Sequence, residues 1–259
     1  MKEKKKLNIL VTNDDGIDSP GILALANRLK EIGNVIVVAP DRQQSAVGHS
    51  LTVANPLRVT PFRRDGSVFG YAINGTPSDC VKLAVSAILK EKPDMVVSGI
   101  NHGQNTAINV LYSGTVSAAT EGMLLGIPSM AVSLCSHSYE ADMTGAADWA
   151  LKIAKRLFEL KLPNDTVLNV NVPNISADKI KGCKVVRLSD AIWDDYYERR
   201  LDPYKREYFW FAGDYKLAEG DIDTDDSAIV EGYVALTPIH FKFTNTSFLK
   251  KMKHIEDII

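Results

Sequence analysis

The feature that most constrains the fold is a regular alternation of short, apolar runs rich in Val and Ile with segments of helical periodicity. Each apolar run ends in polar or glycine-containing sequence, which is typical of the buried strands of a parallel sheet. Strands that alternate with helices pair in parallel through crossover connections, so helices cover both faces of the sheet. We therefore expect an α/β fold of the doubly wound, Rossmann-like type with a mostly parallel sheet.

The alternation predicts five strands and four helices before residue 175. The predicted strands are residues 7–12, 35–39, 95–98, 129–134 and 167–172. The predicted helices are residues 21–32, 77–89, 115–125 and 142–160. Between the second strand and the second helix, two prolines and the turn signal Asp65-Gly66 break residues 51–73 into one or two predicted hairpins.

The C-terminal third has a different composition. Nine of the twenty aromatic residues lie in residues 193–215, mixed with arginines, and this enrichment is typical of an interface. The alternative is a hairpin that folds onto its own subunit. We expect a catalytic core at residues 1–175 and a C-terminal extension at residues 176–259, with an oligomerisation arm at about 190–215 and a return to the core at about 228–240.

Composition excludes several function classes. Thirty Lys and Arg residues against thirty-two Asp and Glu give a net charge of −2, so the chain has no basic excess to attract nucleic acid or an anionic membrane. No apolar stretch approaches the roughly 20 residues of a membrane span, and the one after the basic N-terminus is too short for a signal peptide. The three cysteines are widely spaced, which suggests neither a disulfide framework nor a zinc site. We expect a cytoplasmic protein.

The strongest chemical signal is Asn13-Asp14-Asp15-Gly16, which stands where the first predicted strand ends. Two adjacent carboxylates repel each other unless a cation lies beside them. A hard divalent ion such as Mg²⁺ or Mn²⁺ suits this place, because it takes oxygen ligands and keeps some of its waters. A polar turn is the alternative interpretation, since Asn, Asp and Gly are also turn residues.

Polar loops after two other strands should reach the same edge of the sheet. Residues 39–50 and 98–105 carry hydroxyl, amide and guanidinium groups together with glycines that let the backbone approach a ligand. Tyr112-Ser113-Gly114-Thr115 precedes a predicted helix, whose N-terminus would suit a phosphate. An ordinary Ser/Thr helix cap is the alternative there. A metal site beside a phosphate site would make one catalytic centre.

Several of these blocks, in this order, resemble the SurE survival-protein family of metal-dependent nucleotidases. The matching blocks are Asn13-Asp14-Asp15-Gly16 with Pro20-Gly21, Ala39-Pro40 with Gln44-Ser45, Asn74-Gly75-Thr76-Pro77, Ser98-Gly99-Ile100-Asn101 with Gly103 and Asn105, and Tyr112-Ser113-Gly114-Thr115 with Glu121-Gly122. They cover residues 7 to about 135, with a further match near residues 231–233 and 237–238. Separate blocks in a shared order are far more specific than any single block.

The resemblance implies a phosphatase that acts on nucleoside 5′-monophosphates, and also on 3′-monophosphates and short polyphosphate. It implies one divalent metal ion per subunit, Mg²⁺ or Mn²⁺, with the ligands Asp14, Asp15, Ser45 and Asn101. It implies that the substrate phosphate is held by Asn105, Ser113, Gly114 and Thr115. Exchange of the aromatic arm between subunits would make a homodimer or a homotetramer.

We assign the catalytic carboxylates to Asp14 and Asp15, with Asp14 orienting or deprotonating the attacking water. His102 and His49 both remain open as the group that protonates the leaving oxygen. The base and sugar preference also stays open, with Arg42, Asn55, His102 and the arm as contributors.

Two other functions compete with this one. A haloacid-dehalogenase-type phosphatase would use a nucleophilic Asp at the position of Asn13, but the Asn13 amide cannot form an aspartyl-phosphate. The second alternative is a non-catalytic regulatory module that binds metal and nucleotide without turnover.

Overall fold

The computed structural model describes residues 6–217, 220, 222–253 and 255, without the side chains of residues 158 and 159. This part of the chain contains eleven strands and six α-helices. The strands are β1 (Leu7–Thr12), β2 (Gly33–Pro40), β3 (Val59–Arg64), β4 (Ser67–Ile73), β5 (Met95–His102), β6 (Ser129–Cys135), β7 (Val167–Pro173), β8 (Cys183–Val185), β9 (Ile192–Leu201), β10 (Glu207–Lys216) and β11 (Val234–Ile239). The helices are α1 (Pro20–Leu29), α2 (Pro77–Leu83), α3 (Gly114–Leu124), α4 (Thr144–Leu160), α5 (Asp225–Val230) and α6 (Thr246–Met252). Among these described residues, no helix is both long enough and apolar enough to cross a membrane.

Nine strands form one sheet in the order β3-β4-β2-β1-β5-β6-β7-β11-β8. The six strands from β4 to β7 in this order pair in parallel, whereas β3 and β11 each run antiparallel to a neighbour. This arrangement confirms the predicted doubly wound α/β fold with a mostly parallel sheet. Residues after 175 add β8 and β11 to one edge, and the domain division at that point stays a prediction.

Helices cover both faces because alternate residues of each central strand point in opposite directions. Ile9 and Val11 of β1 belong to a core that includes residues of α1 and α4. Leu10, between them, packs in a second core with residues of α2 and α3, such as Val81 and Ala118. The central strands are therefore buried on both faces, as their continuous apolar runs predict.

Some element boundaries differ from the predicted ones. The second helix, predicted to reach Leu89, ends at Leu83, and the chain continues as a single π-helical turn over Ala84–Ile88. The first helix ends at Leu29 instead of Ile32, and the following strand begins at Gly33, where a Cβ atom would lie 2.4 Å from the Leu7 carbonyl oxygen. The glycine therefore lets β2 approach β1 closely at the point where β2 begins.

The predicted arm is the hairpin β9–β10, a separate two-stranded sheet. Every residue of β9 is exposed in the single chain, and aromatic side chains such as Tyr197 and Phe211 are about three-fifths or more exposed, at 67% and 61%. In the described chain its hydrogen bonds to the core lie at its base, where Trp193 donates to Asn109 Oδ1 at 2.7 Å and the Tyr215 hydroxyl donates to Asp226 Oδ2 at 2.7 Å. The hairpin therefore leaves most of its aromatic surface uncovered by its own subunit.

Candidate active site

The two adjacent aspartates lie at the carboxyl end of β1, in the turn that leads to α1. Asn13 shapes this turn, because its Nδ2 donates to the Gly16 carbonyl oxygen and to Ser19 Oγ, both at 2.8 Å. Asp14 is 4% exposed and the side chain of Asp15 is also 4% exposed. This loop between β1 and α1 therefore buries two carboxylates side by side.

Burial, together with the charge of the neighbouring Asp15, raises the pKa of Asp14 to about 6, against the opposing hydrogen bond from the Thr115 hydroxyl to Asp14 Oδ1. Asp15 Oδ2 accepts from His102, from its backbone N at 3.1 Å and from its Nδ1 at 2.9 Å. Among the described residues, no Lys or Arg pairs with either carboxylate, and no side chain donates to Asp14 Oδ2 or Asp15 Oδ1. Backbone hydrogen bonds from Asp14 and Thr115 act on the Asp14 carboxylate and oppose the rise in its pKa. One oxygen of each carboxylate is therefore left without a side-chain partner in this part of the chain.

A β-bulge in β5 places Asn101 at the same edge. Ser98 pairs with Ala131 and Asn101 with Ser133, so β5 carries one extra residue in this interval. Gly99 adopts φ 137° there, and a Cβ atom on it would lie 2.3 Å from the Val132 carbonyl oxygen. Asn101 Nδ2 donates to the Gly103 carbonyl oxygen at 2.8 Å, which orients the amide and leaves its Oδ1 free to accept or coordinate.

Ser45 lies in the loop after β2. The backbone N of the preceding residue, Gln44, donates to the Asp14 carbonyl oxygen at 2.7 Å, which ties this loop to the aspartate turn. The Ser45 hydroxyl is exposed and accepts from Gln43 Nε2 at 2.9 Å. Within the described residues, the Ser45 side chain makes no hydrogen bond to Asp14 or Asp15. The structure therefore places Ser45 near the aspartate turn but does not bond it to the carboxylates.

The donor set fits a hard divalent cation. It consists of two carboxylates, an amide oxygen and a hydroxyl, and their open oxygens are the ligands that Mg²⁺ and Mn²⁺ prefer. The described residues hold no cluster of three or more His, Cys, Asp or Glu side chains arranged for a metal. With only two charged ligands, the remaining coordination positions would fall to amide, hydroxyl, water or substrate oxygens.

The N-terminus of α3 lies directly against Asp14. Ser113 is the N-cap, whose Oγ accepts from Val116 N at 3.1 Å, and Thr115 bonds Asp14. A Cβ atom on Gly114 would lie 2.8 Å from Asp14 Cβ, so only glycine lets the helix approach this closely. The N–H groups of Gly114 and Thr115 belong to the first turn, for which a helix has no internal acceptors. A backbone hydrogen bond from Thr115 acts on the Asp14 carboxylate, so this end of the helix already places N–H donors beside negative charge.

Asn105 is held in place by polar side chains of two neighbouring strands. Its Nδ2 donates to Ser133 Oγ at 2.8 Å, its backbone N donates to Asn171 Oδ1 at 2.8 Å, and its carbonyl oxygen accepts from Asn169 Nδ2 at 2.7 Å. All four residues are buried. Sequence reasoning missed the three supporting residues, although Asn169 and Asn171 stand two positions apart in an otherwise apolar strand, which is a signal for one polar face.

The two histidines left open by the sequence have different surroundings. His102 contacts Asp15 and also the tilted ring of Tyr139, with ring centroids 5.0 Å apart. His49 instead lies 3.0 Å from Glu121 Oε2 through its Nε2. Burial would raise the pKa of Glu121, but hydrogen bonds from His49 and Lys82 hold it below its usual value. Only His102 therefore joins the aspartate pair.

The fold and site define a doubly wound α/β protein with a buried carboxylate pair against a helix N-terminus, at the carboxyl edge of the sheet where such folds bind their ligands. The family model of the survival protein SurE matches residues 9–195. The chain belongs to this family.

Relatives and a solved structure agree with this membership. The chain is 44% identical to the 5′-nucleotidase SurE of Chlorobium phaeobacteroides over 98% of both chains. It is 46% identical to the 5′-nucleotidase SurE of Syntrophobacter fumaroxidans, over 92% of this chain and 95% of the relative. It also resembles the crystal structure of the SurE protein from Aquifex aeolicus, with a TM-score of 0.84 and 42% identity over 96% of this chain and 100% of that one.

Proposed function

We propose that this protein is a 5′-nucleotidase that hydrolyses nucleoside 5′-monophosphates to nucleoside and phosphate with the help of a divalent metal ion. The observation that carries the proposal is the contact between the open carboxylate pair and the N-terminus of α3, made through Thr115 and Gly114. The similarity to relatives that are named 5′-nucleotidases supports the same activity.

The proposed metal ligands are Asp14, Asp15, Asn101 and Ser45. Asp14 Oδ2, Asp15 Oδ1 and Asn101 Oδ1 have no side-chain hydrogen-bond partner among the described residues. One ion per subunit, Mg²⁺ or Mn²⁺, would draw charge from a phosphate oxygen when bound. His102 orients Asp15 for this role, and Thr115 orients Asp14.

The substrate phosphate binds at Asn105, Ser113, Gly114 and Thr115 in this proposal. The first-turn N–H groups of α3 donate to its oxygens and stabilise the charge that grows on them in the transition state. Asp14 orients a water molecule and accepts its proton. The water oxygen bonds to phosphorus, the bond from phosphorus to the 5′-oxygen breaks, and that leaving oxygen takes a proton from solvent, to which Asp14 later returns the proton that it accepted.

The finer parts of the proposal concern further substrates and assembly. Nucleoside 3′-monophosphates and short polyphosphate present the same terminal phosphate, so we include them as substrates. The uncovered aromatic side chains of β9–β10 support exchange of this hairpin between subunits in a homodimer or homotetramer. Light scattering tests the assembly, and a mass of one subunit at micromolar concentration contradicts it. We place the protein in the cytoplasm, which cell fractionation tests.

Phosphate release from a panel of substrates tests the activity. The panel contains nucleoside 5′- and 3′-monophosphates and tripolyphosphate, each with Mn²⁺, with Mg²⁺ and with excess chelator. We expect release from 5′-monophosphates that a chelator abolishes and added metal restores. Binding of nucleotide without any release would favour the non-catalytic module instead. Release that survives complete chelation would contradict the metal dependence.

A further inference from the structure

An exposed tyrosine stands on the rim of the candidate active site. Tyr139 lies in the segment between β6 and α4, at the carboxyl edge of the sheet, and is 62% exposed. One side of its ring contacts His102 at a centroid distance of 5.0 Å and an interplanar angle of 38°. Its hydroxyl accepts from Gln43 Nε2 at 2.9 Å. The ring is therefore held in position while most of its surface stays open.

The segment that carries Tyr139 packs on the loop after β5. Gly103 adopts φ 97°, and a Cβ atom on it would lie 2.5 Å from Cε1 of His137. The imidazole of His137 therefore occupies the space that a side chain at residue 103 would fill. A turn in which Ala141 N donates to the Ser138 carbonyl oxygen at 3.1 Å then presents Tyr139 beside His102.

Tyr139 links the two loops that hold the proposed metal ligands. On one side, Gln43 Nε2 bonds both Tyr139 and Ser45 Oγ, each at 2.9 Å. On the other side, His102 bonds Asp15 at 2.9 Å. The proposed hydrolysis assigns no role to Tyr139 or Gln43, although Tyr139 contacts His102 and Gln43 bonds Ser45.

We propose that Tyr139 and Gln43 form the nucleobase site, with the base stacked on the open face of the Tyr139 ring and hydrogen-bonded to the Gln43 amide. This inference rests on the proposed nucleotidase function. A sugar separates base from phosphate in the substrate, so the base must lie at the rim of the site and not among the metal ligands. Aromatic rings stack on any base, and purines offer them the larger surface.

Tyr112 is the competing platform, because it is 58% exposed and precedes the phosphate loop. Its backbone carbonyl oxygen accepts from Gly48 N at 3.0 Å. Its ring, however, has no recorded stacking or hydroxyl partner in the described chain, whereas contacts at both the face and the hydroxyl fix Tyr139. A ring that is already oriented loses less entropy when a base stacks on it.

The test compares a substrate that has a base with one that lacks it. Steady-state kinetics of Tyr139→Ala and Tyr139→Phe are measured on AMP, CMP and ribose 5-phosphate at saturating Mn²⁺. We expect Tyr139→Ala to raise the KM for AMP about tenfold, in line with the usual strength of base stacking on aromatic side chains. The increase should be smaller for CMP and absent for ribose 5-phosphate, with kcat within about twofold. Tyr139→Phe keeps the ring and should stay close to the wild type.

Three results overturn the inference. The first is an unchanged KM for AMP in Tyr139→Ala. The second is an equal fall in kcat/KM for AMP and for ribose 5-phosphate in Tyr139→Ala, which would mean that Tyr139 only supports the loops with the metal ligands. The third is a rise in KM for AMP, but not for ribose 5-phosphate, in Tyr112→Ala with no such rise in Tyr139→Ala. A wild-type protein that releases no phosphate from AMP but releases it from other esters contradicts the nucleotidase proposal itself, so the two failures are distinguishable.

Discussion

Two pairs of adjacent aspartates in this chain invite comparison, Asp14–Asp15 after β1 and Asp225–Asp226 at the start of α5. Both pairs are buried, and burial raises the pKa of the first member of each, Asp14 and Asp225, to about 6. In each pair the charge of the second aspartate contributes to this raised pKa. Composition and burial alone therefore do not distinguish them.

The hydrogen-bond partners do distinguish them. Asp225 Oδ1 accepts from Ser189 N at 2.8 Å and from Asp226 N at 3.0 Å, and its Oδ2 accepts from Ala107 N at 3.0 Å. Asp226 Oδ2 accepts from the Tyr215 hydroxyl at 2.7 Å. Both oxygens of Asp225 are therefore engaged by backbone N–H groups, whereas Asp14 and Asp15 each keep one oxygen without a side-chain partner among the described residues. The Asp225 pair braces the chain around Ala107, and we propose that the Asp14 pair binds the metal ion.

The largest effect is expected from removing charge at the open pair. In Asp14→Asn the side chain keeps an oxygen for the Thr115 hydroxyl but loses a proposed metal ligand. We expect phosphate release from AMP to fall by about three orders of magnitude, because a catalytic metal supplies several kcal/mol of transition-state stabilisation. The melting temperature in chelator should not fall, because a costly buried charge is lost.

Asp225→Asn is the matched control for this experiment, since it makes the same change in the braced pair. Its phosphate release should stay within about tenfold of the wild type, because Asp225 contacts the backbone of Ala107 and not the proposed ligands. An Asp14→Asn protein with near-normal metal-dependent turnover would refute the assignment of the open pair.

An intermediate effect is expected where the helix meets the open pair. In Gly114→Ala the new methyl group would lie 2.8 Å from Asp14 Cβ and 3.1 Å from Pro77 Cγ, so the first turn of α3 must move away from the carboxylate. Such a displacement of a reacting group costs up to about 100-fold in kcat. Gly145→Ala in the first turn of α4 is the control, because a Cβ atom there meets nothing within 4 Å. Equal activity of both variants would show that the close approach is unimportant.

The smallest expected effect is on the pH dependence of the free energy of unfolding, to which Asp225 of the braced pair contributes. A carboxyl whose pKa is raised from 3.8 to about 6 by folding binds its proton more tightly in the native state than in the unfolded state. Its contribution to stability is complete below pH 4 and is lost as the pH rises through 6. The free energy of unfolding of the wild type should therefore fall by about 2 to 3 kcal/mol more than that of Asp225→Asn between pH 4 and pH 7.

Urea unfolding in chelator at a series of pH values measures this difference. The titration of Asp14 occurs in both proteins and cancels. A difference between the two proteins that does not depend on pH would mean that the hydrogen bonds to Asp225 outweigh its burial.

The sequence predicts the sheet well because buried parallel strands are continuous apolar runs, such as residues 129–134. It predicts which loops meet, because carboxyl ends of parallel strands share an edge. It does not predict the β-bulge between Ser98 and Asn101. The need for glycine at residue 99 comes from the Val132 carbonyl group on the neighbouring strand, which is far away in the sequence. Long-range partners such as Asn171 for Asn105, and Tyr139 for Gln43, are equally hidden, because 66 and 96 residues separate them.

Calorimetric titration of the metal-free protein with Mn²⁺ tests the contrast between the two pairs most directly. The wild type and Asp225→Asn should each bind one Mn²⁺ per chain with similar affinity, and Asp14→Asn should show at least a tenfold weaker site, or none, while remaining folded by circular dichroism. Wild-type affinity for Mn²⁺ in Asp14→Asn, or loss of binding only in Asp225→Asn, would contradict the account.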